Sequence, residues 1–148
     1  MAADERIAAL IPHAGGMCLL ERIEHWDDSG VTLATATHRH PRNPLATAAG
    51  LRAIHLCEYG AQAMAVHGGL SAQARGARAQ PGLLVSLRDV TLRCDHVQDL
   101  PGELLVEARR LHDSGSAWQY AFRVTHADVL LAQGRATVSA VSARASLR

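Results

Sequence analysis

The chain has 148 residues, with 14 acids against 15 basic residues, every one of them arginine, and a formal net charge of +1. That length fits one domain with a real core, and near-neutral charge without a basic block argues against nucleic acid or a membrane surface as partner. The absence of lysine removes Schiff-base chemistry and a P-loop lysine, and aromatics at 3% leave the core to Leu, Val and Ala.

Residues 4–10 predict a short helix with acids in its first turn, stopped by Pro12, and 11–16 form a loop. Residues 17–26 read as a strand carrying Leu19, Leu20 and Ile23; Asp27-Asp28-Ser29-Gly30 is a hairpin turn, and 31–37 is the return strand. Pro41 and Pro44 forbid regular structure in 38–44, which becomes a loop leading to the central helix.

The stretch 50–70 is that helix. Apolar or small residues at Ile54, Cys57, Ala61, Met64 and Ala65, with Gly60, Ala63 and Val66 opposite, make it apolar all round and therefore buried, and Gly68-Gly69 ends it. Glu58 interrupts it as the only carboxylate between Asp28 and Asp89. Residues 71–81 read as an exposed connector. Four strands follow at 83–94, 102–111, 117–125 and 130–141, with turns at 95–101, 113–115 and 126–128, antiparallel where the connections are short, and then a polar tail at 142–148.

A strand hairpin, one long buried helix and a run of strands make a single α+β domain over 1–148, an antiparallel β-sheet wrapped around one long central α-helix. The known architecture of that kind is the hotdog fold, whose sheet is usually extended by a second subunit. Cys18, Cys57 and Cys94 are odd in number, far apart and without a C-x-x-C pair, the usage of reduced thiols. An acidic start where a secretory leader is basic, and no apolar run of spanning length, predict a cytoplasmic protein.

The motifs carry a resemblance. Leu10-Ile11-Pro12-His13-Ala14-Gly15-Gly16-Met17-Cys18-Leu19-Leu20-Glu21-Arg22-Ile23 resembles the opening of the β-hydroxyacyl-ACP dehydratases of fatty acid synthesis, and Glu58-Tyr59-Gly60-Ala61-Gln62 resembles their helix segment. More narrowly, those helix residues together with His38-Arg39-His40-Pro41-Arg42-Asn43-Pro44-Leu45 and Ser86-Leu87-Arg88-Asp89-Val90 resemble the ApeP-like dehydratases of aryl polyene clusters. The fatty-acid enzymes place their histidine in a Gly-His-Phe-Pro setting nearer the acid. Either His38 or His40 can be its counterpart here; His38 is preferred because it follows the strand directly.

The resemblance implies removal of water from a 3-hydroxyacyl thioester on an acyl carrier protein, to give a trans-2-enoyl thioester. His38 is then the base at carbon 2 and Glu58 the acid that protonates the departing hydroxyl, each from a different subunit of a dimer. Position on the helix supplies the substrate-binding candidates. Gln62, one turn after Glu58, either orients it by hydrogen bond or is satisfied by backbone, and Gly50 and Leu51 offer unpaired backbone N–H groups at the helix start to the thioester oxygen. No metal or redox cofactor is implied, the substrate being carried on the phosphopantetheine arm of the carrier. His38-x-His40 with Glu58 is the competing metal set, without a further ligand of suitable spacing. Arg42, Arg52, Arg75 and Arg78 are available to a phosphate or an acidic carrier.

Competing readings make His38 a strand-end histidine and Glu58 a surface acid or a partner of Arg88. The expected assembly is a homodimer, or a heterodimer with another hotdog dehydratase. The alternatives in function are a catalytically weak or inactive hotdog subunit supporting such a partner, and an acyl thioesterase.

Overall fold

The computed structural model describes residues 4–11, 17–78 and 82–140. The Pro12-His13 pair, the end of the connector and the 142–148 tail lie outside them. Helix α1, Glu5–Leu10, is capped by the Asp4 carboxylate accepting from the Arg6 N–H at 2.9 Å, and it buries Ile7. The first strand is shorter than the apolar pattern suggests. Residues 17–21 are irregular, and β1 is Arg22–Asp27. The Asp27 carboxylate then accepts from the N–H groups of Ser29 and Gly30, closing the hairpin to β2, Gly30–Thr35.

After the long helix come β3 (Gly82–Leu92), β4 (Leu104–Asp113), β5 (Ala117–His126) and β6 (Val129–Ala140). All pairings are antiparallel and the sheet order is β1-β2-β4-β5-β6-β3. The layout is the expected hotdog one, a six-stranded sheet wrapped around one helix.

That helix departs from the sequence reading at both ends. A 3-10 turn, Ala53–His55, leads into α2, Leu56–Ala74, while residues 50–52 lie outside the helix. Gly50 has φ +101 and exchanges backbone hydrogen bonds with Thr47, and Arg52 bridges His96. Tertiary pairing and a glycine outside helical dihedrals thus override apolar periodicity. At the other end Gly68 and Gly69 lie inside the helix. A side chain at Gly69 would meet Leu10 of α1 at 2.5 Å, so this glycine is a contact point between helices. The stop is Gly76 at φ +69, where Gly76 N–H bonds Gln73 C=O at 3.0 Å and Ala77 N–H bonds Ala72 C=O at 2.9 Å.

The core fills the space between α2 and the inner sheet face, chiefly with Leu, Val and Ala. Phe122, the only phenylalanine, is seated between Gly60 on α2 and Gly134 on β6. A Cβ at either glycine would approach its ring within 2.8 Å. The two sheet edges differ. At β1, Arg22 pairs with Glu24 and, through both guanidinium nitrogens, with Glu103 at 2.8 Å. At β3, Leu83, Leu84, Val85 and Leu87 are exposed, Leu83 by 63%.

Candidate active site

Two prolines free the loop after β2 from regular structure, and polar side chains give it a fixed shape instead. Asn43, buried, donates through Nδ2 to Thr37 C=O at 2.9 Å and to the Tyr59 hydroxyl at 3.0 Å, and its Oδ1 accepts the Leu45 N–H at 2.9 Å. The Tyr59 O–H then donates to Thr37 Oγ1 at 2.9 Å, and Thr37 Oγ1–H to Leu19 C=O at 2.6 Å. Burial pushes the Tyr59 phenol up, so it remains a protonated donor. Thr37 precedes His38 and Tyr59 follows Glu58. One hydroxyl pair therefore fastens the turn bearing His38 to the helix bearing Glu58.

His38 lies in a 3-10 turn, Thr37–Arg39, at 1% exposure. Its Nε2–H donates to Leu100 C=O at 2.9 Å; a carbonyl only accepts, so the proton sits on Nε2 and the lone pair on Nδ1. That Nδ1 is buried and without a hydrogen-bond partner. Burial is the main reason the His38 pKa is held below the ordinary histidine value, with Arg39 and His126 adding to it and the Leu100 bond opposing. His40, the other candidate, is exposed, and its Nδ1 accepts the Arg42 N–H at 3.0 Å.

Glu58 is half-buried. Gln62 reaches back one turn and donates Nε2–H to Glu58 Oε1 at 3.3 Å, the contact its spacing predicts. The same amide donates to Met17 C=O at 2.7 Å, and its Oε1 accepts the Leu19 N–H at 2.9 Å. Gln62 is 2% exposed and has spent both donors inside the chain, so it ties the Glu58 side chain to the segment ahead of β1. Along α2, Cys57, Glu58, Ala61, Ala65 and Gly68 form one partly exposed stripe on a helix otherwise buried from Leu56 to Ala72, which corrects the expectation of burial all round.

Gly50 and Leu51 are also placed otherwise than expected. They precede the helix, and both amides are occupied, Gly50 N–H by Thr47 C=O at 2.9 Å and Leu51 N–H by Gln98 Oε1 at 3.0 Å. A side chain at Gly50 would overlap Gln98, so the glycine makes room for that bond. Arg42, Arg52, Arg75 and Arg78 are exposed, and Arg88 is exposed opposite Arg135 on β6. Among the described residues no three His, Cys, Asp or Glu side chains gather as a metal would require. Nor is any described helix long and apolar enough to cross a membrane.

Comparison with known proteins gives the family and the fold. The family model of the ApeP dehydratases matches residues 5–147. The chain belongs to the ApeP-like dehydratase family. A solved dehydratase heterocomplex, ApeI:P from Xenorhabdus doucetiae, is similar over 95% of this chain and 94% of that one, with a TM-score of 0.84 at 20% identity. A hypothetical thioesterase from Streptococcus pneumoniae, solved with coenzyme A, is similar over 82% of this chain and 85% of that one, at TM-score 0.59 and 15% identity. A thioesterase from Staphylococcus aureus is similar over 79% and 89%, at TM-score 0.55 and 16% identity. At such identities the likeness is one of fold. No curated protein matches the sequence.

Within this ApeP-like chain, the roles of Tyr59, Asn43 and the Leu100 carbonyl emerge only from the structure. Asn43 had a local signal, since an Asn ahead of Pro in a loop supplies donors and an acceptor to nearby backbone. The other two had none, because their partners are distant in sequence.

Proposed function

We propose that this chain is a dehydratase of 3-hydroxyacyl thioesters presented on an acyl carrier protein, with His38 as base and Glu58 as acid, working as one subunit of a hotdog assembly. The observation that carries the reading is His38 Nδ1, a buried lone pair left without a partner beside a ring nitrogen whose proton is already committed. Its lowered pKa favours the neutral, proton-accepting form near pH 7. Nδ1 takes the proton from carbon 2, and the electron pair of that C–H bond forms the C2–C3 double bond. The C3–O bond breaks as the Glu58 carboxyl gives its proton to the hydroxyl, which leaves as water. His38 ends protonated and Glu58 ionised, so one proton returns from histidine to glutamate before the next turnover.

The exposed apolar run of β3 supports a partner subunit, and so does the likeness to a dehydratase heterocomplex. The test is loss of one water from a 3-hydroxyacyl carrier-protein thioester, followed by mass, for the purified protein alone and with a co-expressed hotdog partner. His38→Ala and Glu58→Gln are each expected to lower turnover by about 10²–10⁴-fold with assembly unchanged. Wild-type turnover in His38→Ala would sink the assignment of the base. Turnover only in the mixed preparation would make the chain the supporting or site-completing subunit. The thioesterase neighbours favour a second reading, which release of free thiol from an acyl-CoA, dependent on Glu58, would establish.

A further inference from the structure

The Leu100 carbonyl selects the His38 tautomer, and it lies in the loop between β3 and β4. The first part of that loop is clamped to the segment ahead of α2. Ala53 N–H bonds Asp95 C=O at 2.8 Å, Val97 N–H bonds Leu51 C=O at 3.0 Å, and Gln98 holds the Leu51 amide. Beyond Leu100 the grip changes. Pro101 has no N–H to give, Gly102 sits at φ +74 in open space, and β4 begins only at Leu104. Glu103 at the end of this part of the loop is held by Arg22, and between Glu103 and Leu100 the side-chain hold is a second histidine, whose Nε2–H donates to Pro101 C=O at 2.7 Å, so His38 and His126 grip consecutive carbonyls.

His126 is the last residue of β5, paired with Val129 across a turn of only two residues. Both of those, Ala127 at φ 47 and Asp128 at φ 66, hold the left-handed conformation that glycine or asparagine adopts more easily. The hairpin keeps this strained tight turn directly after the histidine, which brings His126 over the loop.

We propose that His126 is a positioning residue for the His38 site: by holding the Pro101 carbonyl it fixes the neighbouring Leu100 carbonyl, which keeps the His38 proton on Nε2 and the lone pair on Nδ1. The inference rests on the reading of His38 as the base. His126 itself touches no reacting atom. It acts on the orientation of the ring, and small errors there are costly in rate.

The test uses the assembled protein with its partner where turnover needs one. His126→Leu removes the donor, and His126→Gln returns an N–H at a similar reach. Turnover on the 3-hydroxyacyl carrier-protein thioester is read beside the ¹⁵N imidazole spectrum of His38, assigned by the signal missing in His38→Ala. The expected result is a fall of kcat by about tenfold in His126→Leu with KM little changed, mixing of the two His38 tautomers, and recovery of both in His126→Gln. An unchanged His38 tautomer in His126→Leu overturns the proposal, whether kcat holds or falls. If His38→Ala keeps wild-type turnover, it is the base assignment that fails, and the spectrum still decides whether His126 sets the ring.

Discussion

Two histidines lie equally deep in this protein, His38 at 1% exposure and His67 at 0%. Each donates Nε2–H to a backbone carbonyl at 2.9 Å, Leu100 for one and Asp27 for the other, and burial holds each pKa below the ordinary value. They differ at one atom. His67 Nδ1 accepts the Tyr120 hydroxyl at 2.8 Å, with the rings edge to face, whereas His38 Nδ1 has no partner. A fully satisfied imidazole ties α2 to the β1–β2 turn and has nothing left to react with. A half-satisfied one bears the cost of an unpaired buried acceptor and keeps a lone pair available.

The comparison breaks if the two rings contribute alike to stability. His67→Ala removes both hydrogen bonds of a fully paired ring, to the Tyr120 hydroxyl and the Asp27 carbonyl, whereas His38→Ala removes one, to the Leu100 carbonyl, together with a buried acceptor that was already unpaired. Urea denaturation at one protein concentration is expected to find His67→Ala the more damaging by about 2 kcal/mol. Equal losses would remove the distinction. Tyr120→Phe sharpens it by removing the donor to His67 Nδ1, at a cost of about 1–2 kcal/mol. The smallest effect is with pH. Both native pKa values are depressed, so between them and the unfolded value of about 6.5 the unfolded chain binds more protons. The stability these two rings contribute through proton linkage is therefore complete above about pH 6.5 and declines as pH falls through that window. A double variant lacking both histidines should show a flatter midpoint-versus-pH curve there.

Local pattern was enough for the outline. The hairpin at Asp27 to Gly30, the later strands and the presence of a long central helix carrying Glu58 and Gln62 all follow from short-range signals. The limits of the helix did not. Whether Gly50 starts a helix depends on Gln98 and His96, far along the chain, and whether Gly69 ends one depends on Leu10. The same holds for the site. The Glu58–Gln62 contact is one helical turn long and legible, while the tautomer of His38 is set by a carbonyl at position 100 that composition and spacing do not mark.

The edges of the sheet also bear on size. A strand added at β3 would cover Leu83, Leu84, Val85 and Leu87, and the boundary this chain then offers is β1, six residues long, irregular at Glu24 and occupied by the pairs of Arg22 with Glu24 and Glu103. Charge at that boundary disfavours another strand. A hotdog partner paired at β3 would therefore close the sheet after one addition instead of propagating into a filament, because the apolar edge would be used and the charged one would remain.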